Sequence, residues 1–135
     1  MRLKNKVAFI TGGTSGIGLA TAKLFQQEGA HLVIVGSDAD RLQAAARDIG
    51  GEVLLVEADL RRIDALEHAV QQTHGKYGRI DIVFANAGAG TFATLETITP
   101  EYIQQNLALN FSGTFFTIQK TSWRTSIKNM QTVTL

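Results

Sequence analysis

Thr11-Gly12-Gly13-Thr14-Ser15-Gly16-Ile17-Gly18 joins two segments of different periodicity. Before it runs Val7-Ala8-Phe9-Ile10, short and wholly apolar; after it a helical pattern places Ile17, Ala20, Leu24 and Phe25 on one face. The order is strand, glycine turn, helix. Such a turn gathers backbone N–H groups and the positive end of a helix dipole at one point, where an anionic phosphate fits. Glycine suits it because the chain must take positive φ and admit a ligand with no Cβ in the way. The plainer alternative is an ordinary βα turn that happens to hold glycines; the flanking strand and helix favour the phosphate site. Gly12, Gly16 and Gly18 are spaced G-x-x-x-G-x-G, not the G-x-G-x-x-G of most dinucleotide folds. Gly13 and Gly18 have the separation of a Walker A loop, but Leu19 stands where its lysine belongs.

Outward from this turn, the pattern repeats. Gly16–Glu28 is the first helix, stopped by Gly29, and His31–Val35 is an apolar second strand. Asp38 caps a helix over about Ala39–Ile49, whose stripe is Leu42, Ala45, Ala46 and Ile49. Val53-Leu54-Leu55-Val56 is the third strand, and Asp59-Leu60 follows its end. A helix from Arg62 to His74 turns Ile63, Leu66, Ala69, Val70 and Thr73 to one side. Ile80–Ala85 is the fourth strand, closed by Asn86-Ala87-Gly88, and Ala89–Ile98 is a loop. Thr99 as N-cap and Pro100 at the first helical position open a long helix to Lys120, with Ile103, Leu107, Asn110, Thr114 and Ile118 as its stripe. Strands alternating with helices four times predict an α/β fold on a parallel sheet. Beyond Thr121 the chain is rich in Thr, Ser and Lys with little amphipathic order; it reads as a frayed helix end and a tail over 121–135, with no site in it.

Composition narrows the function classes. The 135 residues suffice for one domain with a core, and 44% hydrophobic with 19% charged residues is ordinary for a soluble globular protein. A formal net charge of +1 supplies no general field for nucleic acid. With no cysteine there are no disulfides or thiolate metal sites, and His31, His68 and His74 lack metal-ligand spacing, so no metal is expected. No apolar run is long enough to span a bilayer, and Met1–Lys6 leads into a strand without a signal-peptide core. The expectation is a cytoplasmic protein without membrane or nucleic-acid partners.

The glycine turn, Asp59, Asn86-Ala87-Gly88, Asn110 and the spacing of the run from Lys6 to Lys120 together resemble the N-terminal half of a short-chain dehydrogenase/reductase. The resemblance implies a Rossmann-type, doubly wound parallel sheet over residues 1–120, incomplete at its C-terminal side. Ala85 stands where the family often has an asparagine. It implies that Gly12, Gly16 and Gly18 cradle the pyrophosphate of a nicotinamide dinucleotide, with Ser15 and Ile17 beside it. It places Asp59 and Leu60 against the adenine. A carboxylate at a strand's C-terminal end can accept the adenine amino hydrogen, in the crevice where open sheets bind ligands; capping the next helix is its alternative role. Asn86, Ala87 and Gly88 would line the inner ribose and sheet centre, a role that coexists with a turn. Asn110, polar on an apolar stripe, needs hydrogen bonds when buried; in the family this asparagine helps hold a water in a proton relay, and a structural asparagine at a helix kink is the alternative. The long helix resembles the one that family members use for dimers, so self-association through 100–120 is expected, together with poor solubility from the uncovered strand and helix faces.

For the cofactor, Asp38 lies about twenty positions after the glycines, the separation of an acid that holds the ribose of NAD. In the family that acid sits at the strand end, here Gly36, while Ser37 falls where NADP-preferring members often carry arginine. Ser37 could bond a 2′-phosphate, though Asp38 beside it would repel one; the balance leans slightly to NADP over NAD. The family's catalytic serine and Tyr-x-x-x-Lys have no match: Tyr77 and Tyr102 are followed four residues on by Asp81 and Asn106. The reading is therefore an NAD(P)-dependent oxidoreductase of alcohols and carbonyls in a truncated or frame-shifted copy. Its rival is a non-catalytic nucleotide-binding or interaction fragment. A receiver-type signalling domain shares the length, the alternation and an acid after strand three, but needs acids after strand one, where Thr11-Gly12-Gly13 stands.

Overall fold

A computed structural model describes residues 1–122 and the backbone of 131–134. Five parallel strands, β1 (Val7–Thr11), β2 (His31–Gly36), β3 (Val53–Glu57), β4 (Ile82–Ala85) and β5 (Gln131–Thr134), lie in the order β3-β2-β1-β4-β5. The chain builds outward from β1 through β2 to β3, then crosses back to lay β4 on the other side of β1. The direction of winding reverses between β1 and β4, where open α/β sheets form a crevice beyond their strand ends.

Alternation along the strands sends side chains to two cores. Val7 and Phe9 of β1 pack with Val33, Val35 and Val56 under α3 (Ile63–Tyr77). Ala8 and Ile10 pack with Leu32, Ile34, Ile82 and Phe84 under α1 (Gly16–Gln27) and α2 (Ala39–Ile49). β1 to β4 are mainly apolar because both of their faces are covered, in agreement with the sequence pattern. Asp81 fastens the start of β4 to β1: its Oδ2 accepts the Val7 N–H at 2.9 Å, and Arg79 holds its other oxygen. Asp38 caps α2 by accepting the Arg41 N–H at 3.0 Å, and Thr99 caps α4 (Pro100–Leu107) by accepting that of Tyr102 at 3.2 Å, both as expected.

Three expectations are corrected. The face of α1 that packs on the sheet is Gly18 and Ala22, with Phe25 beside them, while Ile17, Ala20 and Leu24 are exposed. At Gly18 the contact is with the glycine turn itself, where a Cβ would meet the Gly12 carbonyl. The long helix over 100–120 is interrupted: α4 gives way to a π-helical stretch, Ala108–Gly113, before α5 (Thr114–Ser122). Ile103 and Leu107 on α4 are exposed, as is Asn110 in the π stretch, and beyond this break in the helical register the buried positions are Gly113, Thr117 and Thr121. Finally, the sheet continues past β4, into the tail that the sequence reading leaves without an element: β5 pairs with β4 in parallel from Ile82↔Gln131 to Ala85↔Thr134. Gln-Thr-Val-Thr is a β-favouring run, and β4 would otherwise be an open edge.

Candidate functional site

The ends of β1 and β4 are tied together before any ligand is considered. Thr11, buried at the tip of β1, accepts from the backbone N–H groups of Asn86 (3.0 Å) and Ala87 (3.1 Å) through its one hydroxyl oxygen. Asn86 returns a bond from Nδ2 to the Gly12 carbonyl at 3.2 Å. The two loops lie so close that a Cβ on Gly12 would stand 2.8 Å from the Ala87 Cα, and Gly12 takes a φ of +66°.

A cleft of about 430 Å³ opens beside this junction. Gly12 and Ser15 wall it from the glycine turn, Ser37 from the end of β2, Asp59 and Leu60 from the end of β3, and Asn86, Ala87 and Gly88 from the end of β4. All eight residues, from four separate loops, are expected from the sequence. Gly16, Ile17, Gly18 and Asn110 are expected too and are not part of its wall. Gly16 has a φ of +53° and nothing within 4 Å of where its Cβ would be, so it serves the turn's conformation and leaves the space above it open. Ile17 points to solvent. Gly18, expected to face the crevice, is buried against the turn instead: a Cβ there would fall on the Gly12 carbonyl oxygen.

Ser15 is the N-cap of α1 but closes no side-chain bond onto the helix. The first-turn N–H groups therefore still need an acceptor, and the dipole's positive end faces the same side. The Ser15 hydroxyl instead accepts from Arg41 Nη2 at 3.3 Å. Arg41, which sequence reasoning missed, lines the cleft next to Ser37. Its position at the third residue of α2 was legible; its lean back over the glycine turn was not. Asp38 is turned into its capping bond and is not part of the cleft wall. These residues fit a dinucleotide: a bare glycine turn, free helix-end donors, hydroxyls on two loops and a cation at one end.

Asp59 is occupied. The side chain of Arg61 hydrogen-bonds it, and the Arg61 backbone N–H adds a further bond at 3.0 Å, holding the carboxyl below its usual range against the opposing effect of burial. It does not cap α3, whose N-cap is Arg62. Asn110 lies in the π stretch, exposed rather than buried in an apolar stripe. Its amide clasps one residue on both sides: Oδ1 accepts the Ala89 N–H at 2.9 Å and Nδ2 donates to the Ala89 carbonyl at 2.7 Å. The missing Cβ of Gly88 makes room for this, since one would stand 2.9 Å from Asn110 Oδ1. A second cleft, about 440 Å³, lies between the loop after β4 and α4, with Tyr102 and Gln105 on its wall; Arg61 belongs to both clefts.

The model of the short chain dehydrogenase family matches residues 6–127. Oxidoreductase asL5 of Sarocladium schorii is 40% identical over 118 residues, 87% of this chain and 47% of the relative. The NADP-dependent (R)-specific alcohol dehydrogenase of Lentilactobacillus kefiri is 39% identical over 117 residues, 85% of this chain and 46% of the relative. Among solved structures, the 3-ketoacyl-(acyl-carrier-protein) reductase from Brucella melitensis complexed with NADH superposes with a TM-score of 0.85 at 34% identity, over 90% of this chain and 51% of that one. The chain thus spans about half the length of the relatives it matches.

Proposed function

The chain belongs to the short-chain dehydrogenase family, and from that membership we propose that residues 1–120 are the nicotinamide-dinucleotide-binding unit of an NAD(P)-dependent oxidoreductase that interconverts an alcohol and a carbonyl in the cytoplasm. The observation that carries this is the convergence of Gly12, Ser15, Ser37, Asp59 and Asn86 on one cleft at the reversal of strand order. The pyrophosphate lies over Gly16 at the open N-terminus of α1, and the adenosine reaches toward Ser37, Asp59 and Leu60. The bound nicotinamide supplies or accepts hydride. Thr11 and Asn86 fix the loop after β4, so that Asn86, Ala87 and Gly88 present a rigid wall to the inner ribose. Asn110 holds that loop by its clasp on Ala89, which engages both ends of its amide, and a water of the proton relay would be held beside it.

Of the two cofactors we favour NADP. Ser37 and the Arg41 guanidinium stand together on the cleft wall, and Asp38 is engaged as a cap. A charge-assisted bond to a 2′-phosphate would come from Arg41. A non-catalytic binding unit is the second reading, favoured by one observation: neither Tyr77 nor Tyr102 has a lysine four residues on. A tyrosine in water has a pKa of about 10 and is a poor proton donor at neutral pH without such help. We therefore expect these 135 residues to bind the dinucleotide without turning over an alcohol or carbonyl. The exposed face of α4 and α5 is where the unit would meet a second copy.

Calorimetric titration with NADPH and NADH tests this reading. Both should bind, NADPH more tightly, and Arg41→Ala should weaken NADPH alone by about tenfold. If neither dinucleotide binds, the reading is wrong.

A further inference from the structure

Arg61 is the one charged side chain shared by the two clefts. Its backbone N–H and its Nε both donate to Asp59 Oδ1 at 3.0 Å, and its Nε and Nη2 donate to Oδ2 at 3.2 and 2.8 Å. Nη1 reaches the other way, to Gln105 Oε1 on α4 at 2.9 Å. A carboxylate has about four acceptor directions over its two oxygens. Here three N–H groups of one residue already fall on them, the single Nε–H being shared between both oxygens. Asp59 therefore does not present a bare acceptor edge to the cleft. What it presents is half of a pair, with guanidinium N–H groups beside it.

This matters for a purine. Adenine offers a donor at its 6-position; hypoxanthine, with an oxygen there, offers an acceptor. A bare carboxylate takes the first and repels the second, and a site built to pair a donor rejects the analogue that lacks it. A carboxylate covered by a guanidinium has lost that asymmetry, because the guanidinium can donate to a 6-oxo group. Specificity is a difference between two affinities, and a covering donor shrinks the difference. We propose that Arg61 is a specificity-determining residue for the base: by covering Asp59 it makes the cleft accept a 6-oxo purine dinucleotide nearly as well as a 6-amino one. This rests on the dinucleotide reading above. The pair is partly open to solvent, with side-chain exposures of 46% for Arg61 and 35% for Asp59, so an incoming adenine displaces it readily.

The test titrates the 135-residue chain with NADPH and with its hypoxanthine counterpart. Wild type should bind the two within about threefold of each other, whereas Arg61→Ala should favour the adenine form by about tenfold, the worth of one hydrogen bond to a charged group. Arg61→Met, which keeps the length of the side chain without its donors, should do the same, and adding Asp59→Asn should bring the ratio back toward parity. A wild type that already prefers adenine by about tenfold, or Arg61 variants that bind both forms with an unchanged ratio, overturns the proposal while leaving the dinucleotide reading intact. Failure of wild type to bind either form overturns both.

Discussion

The residues up to Ala85 and those from Ala89 to Ser122 solve burial in opposite ways. In the first region the strands supply aliphatic bulk; α1 comes down on them with the small residues Gly18 and Ala22, while α2 and α3 add Leu42, Leu66 and Val70 beside alanines. In the second, much of the bulk is outside, although Leu109 and Phe116 pack against the core. Ile103, Leu107, Phe111 and Phe115 recur every four residues and are all at least half exposed, and Phe92 and Leu95 stand free on the loop before them. The inward positions of the same helix are Gly113, Thr117 and Thr121, whose buried hydroxyls bond back to carbonyls of their own helix, Thr117 to Gly113 and Thr121 to Thr117 at 2.7 Å each. Hydrophobicity in the first region mostly marks a core; in the second, Leu109 and Phe116 reach the core and the rest forms an exposed apolar face. Substitutions that act through packing should therefore be severe in one and mild in the other.

The largest effect is expected at Gly18. A Cβ there collides with the Gly12 carbonyl and comes within 2.7 Å of Asn86 Nδ2, so any side chain must prise the glycine turn from the loop after β4. Gly18→Val should cost about 3 kcal/mol or more by overpacking, read as a lowered urea midpoint with unchanged slope. Gly16→Ala is the control, because its Cβ meets nothing and only the positive φ resists it, at about 1–2 kcal/mol. Equal losses at the two positions would mean that the turn does not pack as described. Gly18 thus guards the fold, and a bulky residue there would weaken cofactor binding through the turn and not by filling the cleft.

Asp81 comes next. Burial raises its carboxyl, but the bonds from Arg79 and the Val7 N–H outweigh that and hold it below the ordinary value of 3.8. The native state then binds fewer protons than the unfolded one. The stabilisation is complete above the unfolded value and is lost as pH falls through the lower native one. Asp81→Asn keeps a bond to Val7 and loses the charge, so it should cost about 1–2 kcal/mol at neutral pH. Denaturant melts from about pH 6 down to about pH 2 should show the difference from wild type shrinking at the acid end; a constant difference would mean that the ion pair contributes nothing.

How much of this was legible follows from the same contrast. Where periodicity reports a core it gave the right elements, β1 to β4 and α2 with its bounds, residue chemistry gave the caps Asp38 and Thr99, and the family resemblance named eight residues that line one cleft. Periodicity failed where size mattered more than hydrophobicity. Leu24 has the pattern of a core residue and is exposed because α1 turns its Gly18–Ala22–Phe25 face to the sheet instead. Asn110 shares its expected stripe with Ile103 and Leu107, but that stripe is the exposed one, and from the π stretch Asn110 reaches Ala89. Arg41 and Arg61 were invisible as cleft residues because both are ordinary surface arginines by pattern. Only the folded-back loops show that they lean on Ser15 and Asp59.

The smallest effect on stability is expected on the bare face, and it sharpens the comparison most. Phe111 and Phe115 are 67% and 54% exposed, and they sit one turn apart across the junction of the π stretch with α5. Removing a side chain that is more than half exposed forfeits little transfer energy and opens no buried cavity, although Phe115 also loses its edge-to-face contact with Phe116. Phe111→Ser should therefore change the folding free energy of the single chain by no more than about 0.5 kcal/mol and Phe115→Ser by about 1 kcal/mol or less. The same pair of changes acts fully on association. Sedimentation velocity over a range of concentrations should show the wild-type chain growing in mass and the double variant staying monomeric, with urea midpoints close at low concentration. If the variant unfolds, these phenylalanines belong to a core and the contrast between the two regions is false. If both proteins sediment as monomers throughout, the face is bare but does not bind its own copy.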